Sequence, residues 1–208
     1  MNKKGLFICF EGADGVGKST IINKTIPKLM EENNFHEYLY FHWKPIKKEI
    51  CFNRVPSSAA QNPRGKSIRN PIASLAFLFY HYLCYIYGYI FIIKPNLRKN
   101  RLVIADRYAY DIFLDPTRFR LKLPKWILKL FIGMTPLPHT TIALVAAPEV
   151  IISRKPELSK TEIEQYQDLL TKHNLIKRLI IQNAEASPDE IINQLLKNIN
   201  ISTTDIPR

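Results

Sequence analysis

Three things are scarce in this 208-residue chain: cysteine, glycine, and, across its middle, acidic side chains. The three cysteines, Cys9, Cys51 and Cys84, are odd in number and widely spaced, with no CxxC pair and no histidine at metal-ligand distance in the sequence. That excludes a disulfide-stapled fold and a zinc site, and reads as reduced thiols in a cytoplasmic protein. The first residues, Met1-Asn2-Lys3-Lys4, run straight into a short apolar segment, without the long apolar stretch and small-residue cleavage site of a signal peptide. Carboxylates are unevenly missing. Residues 1–50 carry 8 basic and 6 acidic side chains, residues 51–148 carry 14 and 3, and residues 149–208 carry 8 and 9. Nearly all of the formal +12 therefore sits in the middle, where it would attract phosphates, anionic sugars, nucleic acid or an acidic membrane surface. No nucleic-acid reader motif accompanies the charge, which makes nucleic acid the least favoured of these.

What is present is enough apolar chain for one substantial core: hydrophobic residues make up 46% of the sequence, and one domain spanning 1–208 is expected. Residues 5–11, 36–43, 101–105, 140–145 and 179–182 read as short strands, with helical periodicity between them. Residues 46–71 are polar, basic and broken by Pro56, Pro63 and Pro71, so a loop-rich insert is expected there. Ser187-Pro188-Asp189-Glu190 is a helix start. Alternating strands and helices predict an α/β fold, a three-layer domain whose parallel sheet of about five strands is flanked by helices.

Of only seven glycines, four fall between Gly5 and Gly17. The segment Gly12-Ala13-Asp14-Gly15-Val16-Gly17-Lys18-Ser19 satisfies GxxxxGK[ST] in full and lies between an apolar strand and a helix whose Ile21, Ile22, Ile26 and Leu29 recur at helical spacing. In such a loop successive N–H groups point inward and the helix N-terminus adds partial positive charge, so a triphosphate is cradled. Lys18 would reach the β and γ phosphates, Ser19 would hold magnesium through its hydroxyl, and Thr20 is a further phosphate contact. A second carboxylate is needed at the end of a neighbouring strand, and Asp106, after Leu102-Val103-Ile104-Ala105, fits. Guanine-specific proteins use Asn-Lys-x-Asp; the only Asn-Lys here, Asn23-Lys24, continues Thr25-Ile26. ATP with Mg2+ is therefore the expected cofactor pair.

The run Phe10-Glu11-Gly12-Ala13-Asp14-Gly15-Val16-Gly17-Lys18-Ser19-Thr20, followed downstream by Asp106-Arg107-Tyr108, resembles the thymidylate kinase family. Ala147-Pro148-Glu149-Val150 with Arg154 is similar to the family's strand end and the start of its lid, and Asn183-Ala184-Glu185-Ala186-Ser187-Pro188 to its adenine-side loop. The resemblance implies phosphoryl transfer from ATP to dTMP or a related nucleoside monophosphate, with a lid over roughly 154–161 and the acceptor side at 46–71. It makes Asp14 a contact to the acceptor sugar, Arg107 a cation between the two phosphates and Arg154 a lid arginine. Lys18, Asp106, Arg107 and Arg154 form the expected catalytic set, with Ser19 and Asp106 on the metal. One departure is plain: where the family has Arg-Glu-Pro after its second strand, this chain reads His42-Trp43-Lys44-Pro45. Trp43 stands in the arginine's place, and Lys44 offers a point charge rather than a planar fork. Two other readings stay open: a similar enzyme acting on a sugar or lipid-linked precursor near a membrane, and a nucleotide-binding interaction module without turnover.

From Pro71 to Ile93 there is no Asp, Glu, Lys or Arg, a length that could span a bilayer. Spanning would separate the phosphate loop from Asp106, so a core helix, a homodimer contact and a peripheral membrane contact are the uses considered. Residues 121–131 form an amphipathic basic pattern, Trp126, Ile127, Leu130 and Phe131 against Lys122, Lys125 and Lys129, which could lie on an anionic membrane. The partners expected are a small-molecule phosphoryl acceptor, a second copy of the chain and such a membrane.

Overall fold

The computed structural model describes residues 5–46, 50–52, 67–172, 174–176 and 178–204. Its centre is a six-stranded sheet in the order β3-β2-β4-β1-β5-β6. The strands are β1 (Leu6–Glu11), β2 (Tyr38–His42), β3 (Ile50–Phe52), β4 (Leu102–Asp106), β5 (Thr140–Val145) and β6 (Leu179–Asn183). Five run parallel, and β3 joins β2 antiparallel at one edge. β1 and β4 occupy the middle of the sheet and are buried at every position, the near-continuous apolar signature of strands covered on both faces. Each fully buried Leu, Ile, Val or Phe there contributes roughly 1.5–3 kcal/mol. At the other edge β6 is partly exposed.

All five strands expected from the sequence are present, each within two residues of its expected ends. β3 is additional. It is three residues long and falls in the segment expected to be loop, too short for a periodic signal; the rest of that insert, 53–66, lies outside the described residues.

Helix α1 (Lys18–Asn33) follows β1 through the glycine-rich loop and packs on α8 (Pro188–Thr204). The helix start expected at Ser187 is closed by a capping box: its Oγ accepts from the Glu190 N–H at 3.3 Å, and the Glu190 carboxylate accepts from the Ser187 N–H at 3.1 Å. α2 (Pro71–Gly88) begins at Asn70, whose side chain accepts from the Ala73 N–H at 2.7 Å, and continues through a π-helical turn (Tyr89–Ile93) into α3 (Lys94–Arg98). Gly88 lets α2 come down on the chain after β2, where a Cβ would lie 2.3 Å from both Cγ and the carbonyl oxygen of Pro45. α4 (Asp111–Leu114), α5 (Lys125–Met134), α6 (Pro148–Arg154) and α7 (Lys160–Lys172) complete the flanking helices. The basic helix expected over 121–131 starts later, at Lys125: Pro124 is in extended conformation at its N-cap, so Lys122 precedes the helix.

β4 and β5 flank β1 on opposite sides, so the strand order reverses about β1. In such sheets the ligand crevice lies beyond the carboxyl ends of the strands at that reversal. Gly12, Asp106 and the residues that follow them are at that rim.

Candidate active site

The loop from Gly12 to Lys18 turns on glycines in backbone conformations that other residues adopt at a cost. Gly15 has φ 91° and Gly17, the N-cap of α1, has φ 103°. A Cβ on Gly15 would also stand 2.9 Å from the Lys155 Cβ, so the end of α6 presses on the loop. Arg154 reaches the same loop, donating to the Val16 carbonyl at 3.3 Å. Lys18 folds back into it and donates to the carbonyls of Gly12 (2.8 Å) and Ala13 (3.0 Å). Burial, with help from the nearby Arg107 cation, lowers the Lys18 ammonium to about 8, while Asp106 and Asp14 pull the other way. Ser19 and Thr20 are exposed at the first turn of α1.

β4 delivers Asp106 beside the loop, its register partner on β1 being Phe10. Its Oδ2 accepts from the Tyr40 hydroxyl at 3.1 Å and lies 3.5 Å from His42 Nδ1, both on the adjacent β2. Its Oδ1 is buried without a hydrogen-bond partner. Burial alone would raise this carboxyl, but the His42 hydrogen bond and the Lys18 and Arg107 cations outweigh it and keep it ionised. A buried anionic oxygen with an unused lone pair, beside a serine at a helix N-terminus, is a donor set that fits a hard cation such as Mg2+.

Arg107 follows Asp106 at φ 69°, held by its N–H to the Phe10 carbonyl (2.9 Å), and its side chain is buried. One amine donates to Asp14 Oδ1 (2.8 Å), the other to Asp111 Oδ1 (2.6 Å) and the Tyr166 hydroxyl (3.2 Å). Asp14 Oδ2 accepts in turn from Arg118 at 2.8 Å. Although burial would raise the Asp14 carboxyl, Arg107, Lys18 and Arg118 hold it far below the usual carboxylate range. Both oxygens of Asp14 and both amines of Arg107 are thus engaged with protein. Beneath them Glu11 is fully buried and accepts from the Tyr108 N–H at 2.9 Å and the Tyr166 hydroxyl at 3.4 Å. Burial and the Asp111 charge push Glu11 up to about 8, against Arg107 and the Tyr108 N–H.

The structure therefore brings Lys18, Asp106, Arg107 and Asp14 into one cluster and puts Arg154 on the loop's rim. Sequence reading missed Tyr166, whose spacing with Ile163 and Leu170 on α7 is that of an ordinary core stripe. It also missed the Asp106 partners Tyr40 and His42, which only strand pairing brings in.

Next to this site lies an aromatic cluster. Trp43, at φ 67°, donates its backbone N–H to the Asp106 carbonyl at 3.1 Å, and its ring sits 4.6 Å from Phe119 and 5.1 Å from His81. Lys44 is buried with its ammonium 5.0 Å from the centre of the Trp43 ring, and Arg69 covers Phe77 at 4.2 Å. His81 donates from Nδ1 to the Phe77 carbonyl (2.8 Å), and burial lowers it to about 4, so it is neutral.

A parallel sheet with a phosphate loop at its reversal point and an aspartate on the adjoining strand defines the P-loop NTPase class of α/β proteins. No protein-family model matches the chain. It is similar, over nearly its whole length, to thymidylate kinases: 27% identical over 213 residues to the probable thymidylate kinase of Methanosarcina acetivorans, covering 94% of this chain and 96% of that protein. With the thymidylate kinase of Mycoplasmopsis agalactiae it shares 25% identity over 212 residues, 93% of this chain and 94% of the relative. Among solved structures, the thymidylate kinase of Ehrlichia chaffeensis superposes with a TM-score of 0.60 at 16% identity, covering 94% of this chain and 99% of the other. In fold and in sequence the protein is thymidylate kinase-like.

Proposed function

We propose that the protein is an ATP-dependent kinase that transfers the γ-phosphoryl group to dTMP or a closely related nucleoside monophosphate, as one domain with its lid at 154–161 and its acceptor side at 46–71. The observation that carries this reading is the cluster of Lys18, Asp14, Arg107 and Asp106 at the reversal of the sheet, in a chain similar end to end to thymidylate kinases. The loop N–H groups and Lys18 hold the donor phosphates, and Lys18 exchanges its two loop carbonyls for phosphate oxygens. Ser19 and Asp106 Oδ1 would hold Mg2+, which neutralises charge building on the phosphoryl oxygens. Arg107 fixes Asp14 and meets the phosphates by exchanging that contact. Arg154, already on the loop, closes from the lid side. An acceptor phosphate is ionised at neutral pH, so the transfer requires no general base. The free thiols Cys9 and Cys84 suit a cytoplasmic setting.

The exposed face of α2 is left for a partner, a second copy of the chain or an anionic membrane, and the two differ in the charge they require. The catalytic reading is tested by coupled ADP release with a panel of acceptors: dTMP should stimulate release well above the rate without acceptor. Stimulation by a sugar phosphate but not by any nucleoside monophosphate would overturn it. Trp43→Arg should improve use of dTMP, because it restores a planar guanidinium where the tryptophan stands.

A further inference from the structure

We infer that Tyr40 is a positioning residue: its hydroxyl turns the Asp106 carboxylate so that Oδ1 meets the divalent cation carried by the nucleotide. This role rests on the nucleotide-binding part of the proposed function and not on the acceptor. β2 and β4 run parallel, with Tyr40 opposite Ile104 and His42 opposite Asp106. Residues two apart on a strand share a face, so Tyr40, His42 and Asp106 stand on one side of the sheet. From there the Tyr40 hydroxyl donates to Asp106 Oδ2 at 3.1 Å, and His42 Nδ1 lies 3.5 Å from the same oxygen. The backbone beneath the carboxylate is pinned from both neighbouring strands. On the β2 side the Asp106 carbonyl accepts from the Trp43 N–H at 3.1 Å, and on the β1 side the Arg107 N–H donates to the Phe10 carbonyl at 2.9 Å.

With the backbone held, the freedom that remains is rotation of the carboxylate about its terminal bond, a broad torsion that exchanges the two oxygens. A hydrogen bond to one oxygen selects the orientation. Water competes little for this contact, because Tyr40 is 3% and Asp106 5% exposed, and a donor to an ionised oxygen makes a strong bond. Oδ1 is left buried and without a hydrogen-bond partner, an arrangement that costs free energy until a cation meets it. Lys18 and Arg107 add positive charge nearby, but Lys18 donates to the Gly12 and Ala13 carbonyls and Arg107 to Asp14, Asp111 and Tyr166. Neither satisfies Oδ1. Contacts of this outer kind fix the orientation of a metal ligand, and losing one typically lowers metal affinity by about tenfold to a hundredfold.

The test is calorimetric titration of the full-length protein with the β,γ-imido analogue of ATP, once with excess Mn2+ and once with EDTA. Tyr40→Phe keeps the ring that fills the core and removes only the donor. It should weaken binding by about tenfold in Mn2+ and leave binding in EDTA unchanged. In an Asp106→Asn background the same substitution should add nothing, because its effect passes through that carboxylate. An equal loss with and without metal overturns the proposal, since Tyr40 then acts on the fold. So does an unchanged affinity in Mn2+, a further loss in the Asp106→Asn background, or a wild type that binds the analogue equally well in Mn2+ and EDTA. No acceptor enters these titrations, so failure of the dTMP reading and failure of this one are told apart.

Discussion

The rim of the sheet beyond β1 and β4 and the flank built by α2 make opposite use of burial. At the rim ionised groups are buried and paired: Arg107 lies between Asp14 and Asp111, and Lys18 is enclosed by its own loop. On the flank apolar side chains are exposed, and the neighbouring aromatic cluster leaves the Trp43 indole N–H and one His81 nitrogen buried without partners. Buried charge is tolerated only where other charges and hydrogen bonds fix it, so the rim is preorganised and little in it can change alone. The flank has one buried cation, Lys44, set against the Trp43 ring rather than against a carboxylate among the contacts described.

Breaking the rim should have the largest effect. Arg107→Ala leaves Asp14 and Asp111 facing each other without their shared cation, and should cost about 3–5 kcal/mol of stability along with all activity. Chemical denaturation checks the first and ADP release the second. Lys18→Ala sharpens the contrast within the rim. It should lower turnover by about a hundredfold to a thousandfold, yet leave the melting temperature level or raised, because burial disfavours this ammonium in the folded state. An active Lys18→Ala enzyme would remove the loop from the mechanism. On the flank, Gly88→Ala forces a methyl group against the Pro45 backbone and should cost about 1–3 kcal/mol. That loss should show in thermal melts, and kcat for any accepted substrate should change less than KM, since only the acceptor side is displaced.

The rim was legible in the sequence because its parts are local. GxxxxGK[ST] is contiguous, and Asp106-Arg107-Tyr108 directly follows an apolar strand, so both roles and spacing can be read along the chain. What the sequence did not disclose was pairing across elements: that Arg107 would be spent on Asp14 and Asp111, or that Tyr40 and His42 would reach Asp106 from β2. Those contacts depend on register. The sequence pattern places the start of helix α5 four residues early because Lys122 fits its basic stripe, whereas Pro124 sets the actual start. The length of the α2 run was plain from its missing charges, but which of its faces is buried required the core to be in place.

The smallest effect concerns Glu11, and it distinguishes a rim held by charge from one held by shape. Its carboxyl is pushed up to about 8 in the folded protein, above its ordinary value of 4.5, by burial and by Asp111. A folded-state pKa raised above the unfolded one means that the folded protein keeps its proton while the unfolded chain gives it up. The stability tied to that proton is fully present below about pH 4.5 and is lost as pH rises toward 8. Asp14 and Asp106 have the opposite sign: depressed when folded, they contribute above the normal carboxylate range and lose that contribution in acid. Between pH 5 and 8, roughly, Glu11 is therefore the rim carboxylate whose titration erodes stability. Glu11→Gln keeps an oxygen to accept from the Tyr108 N–H and cannot ionise. It should flatten the decline across this window and gain about 1–2 kcal/mol near pH 8, with little change near pH 5. Denaturation of both proteins at several pH values reads it directly. If the two curves stay parallel, Glu11 is already ionised in the native rim, and the Arg107 charge rather than the burial governs that carboxylate.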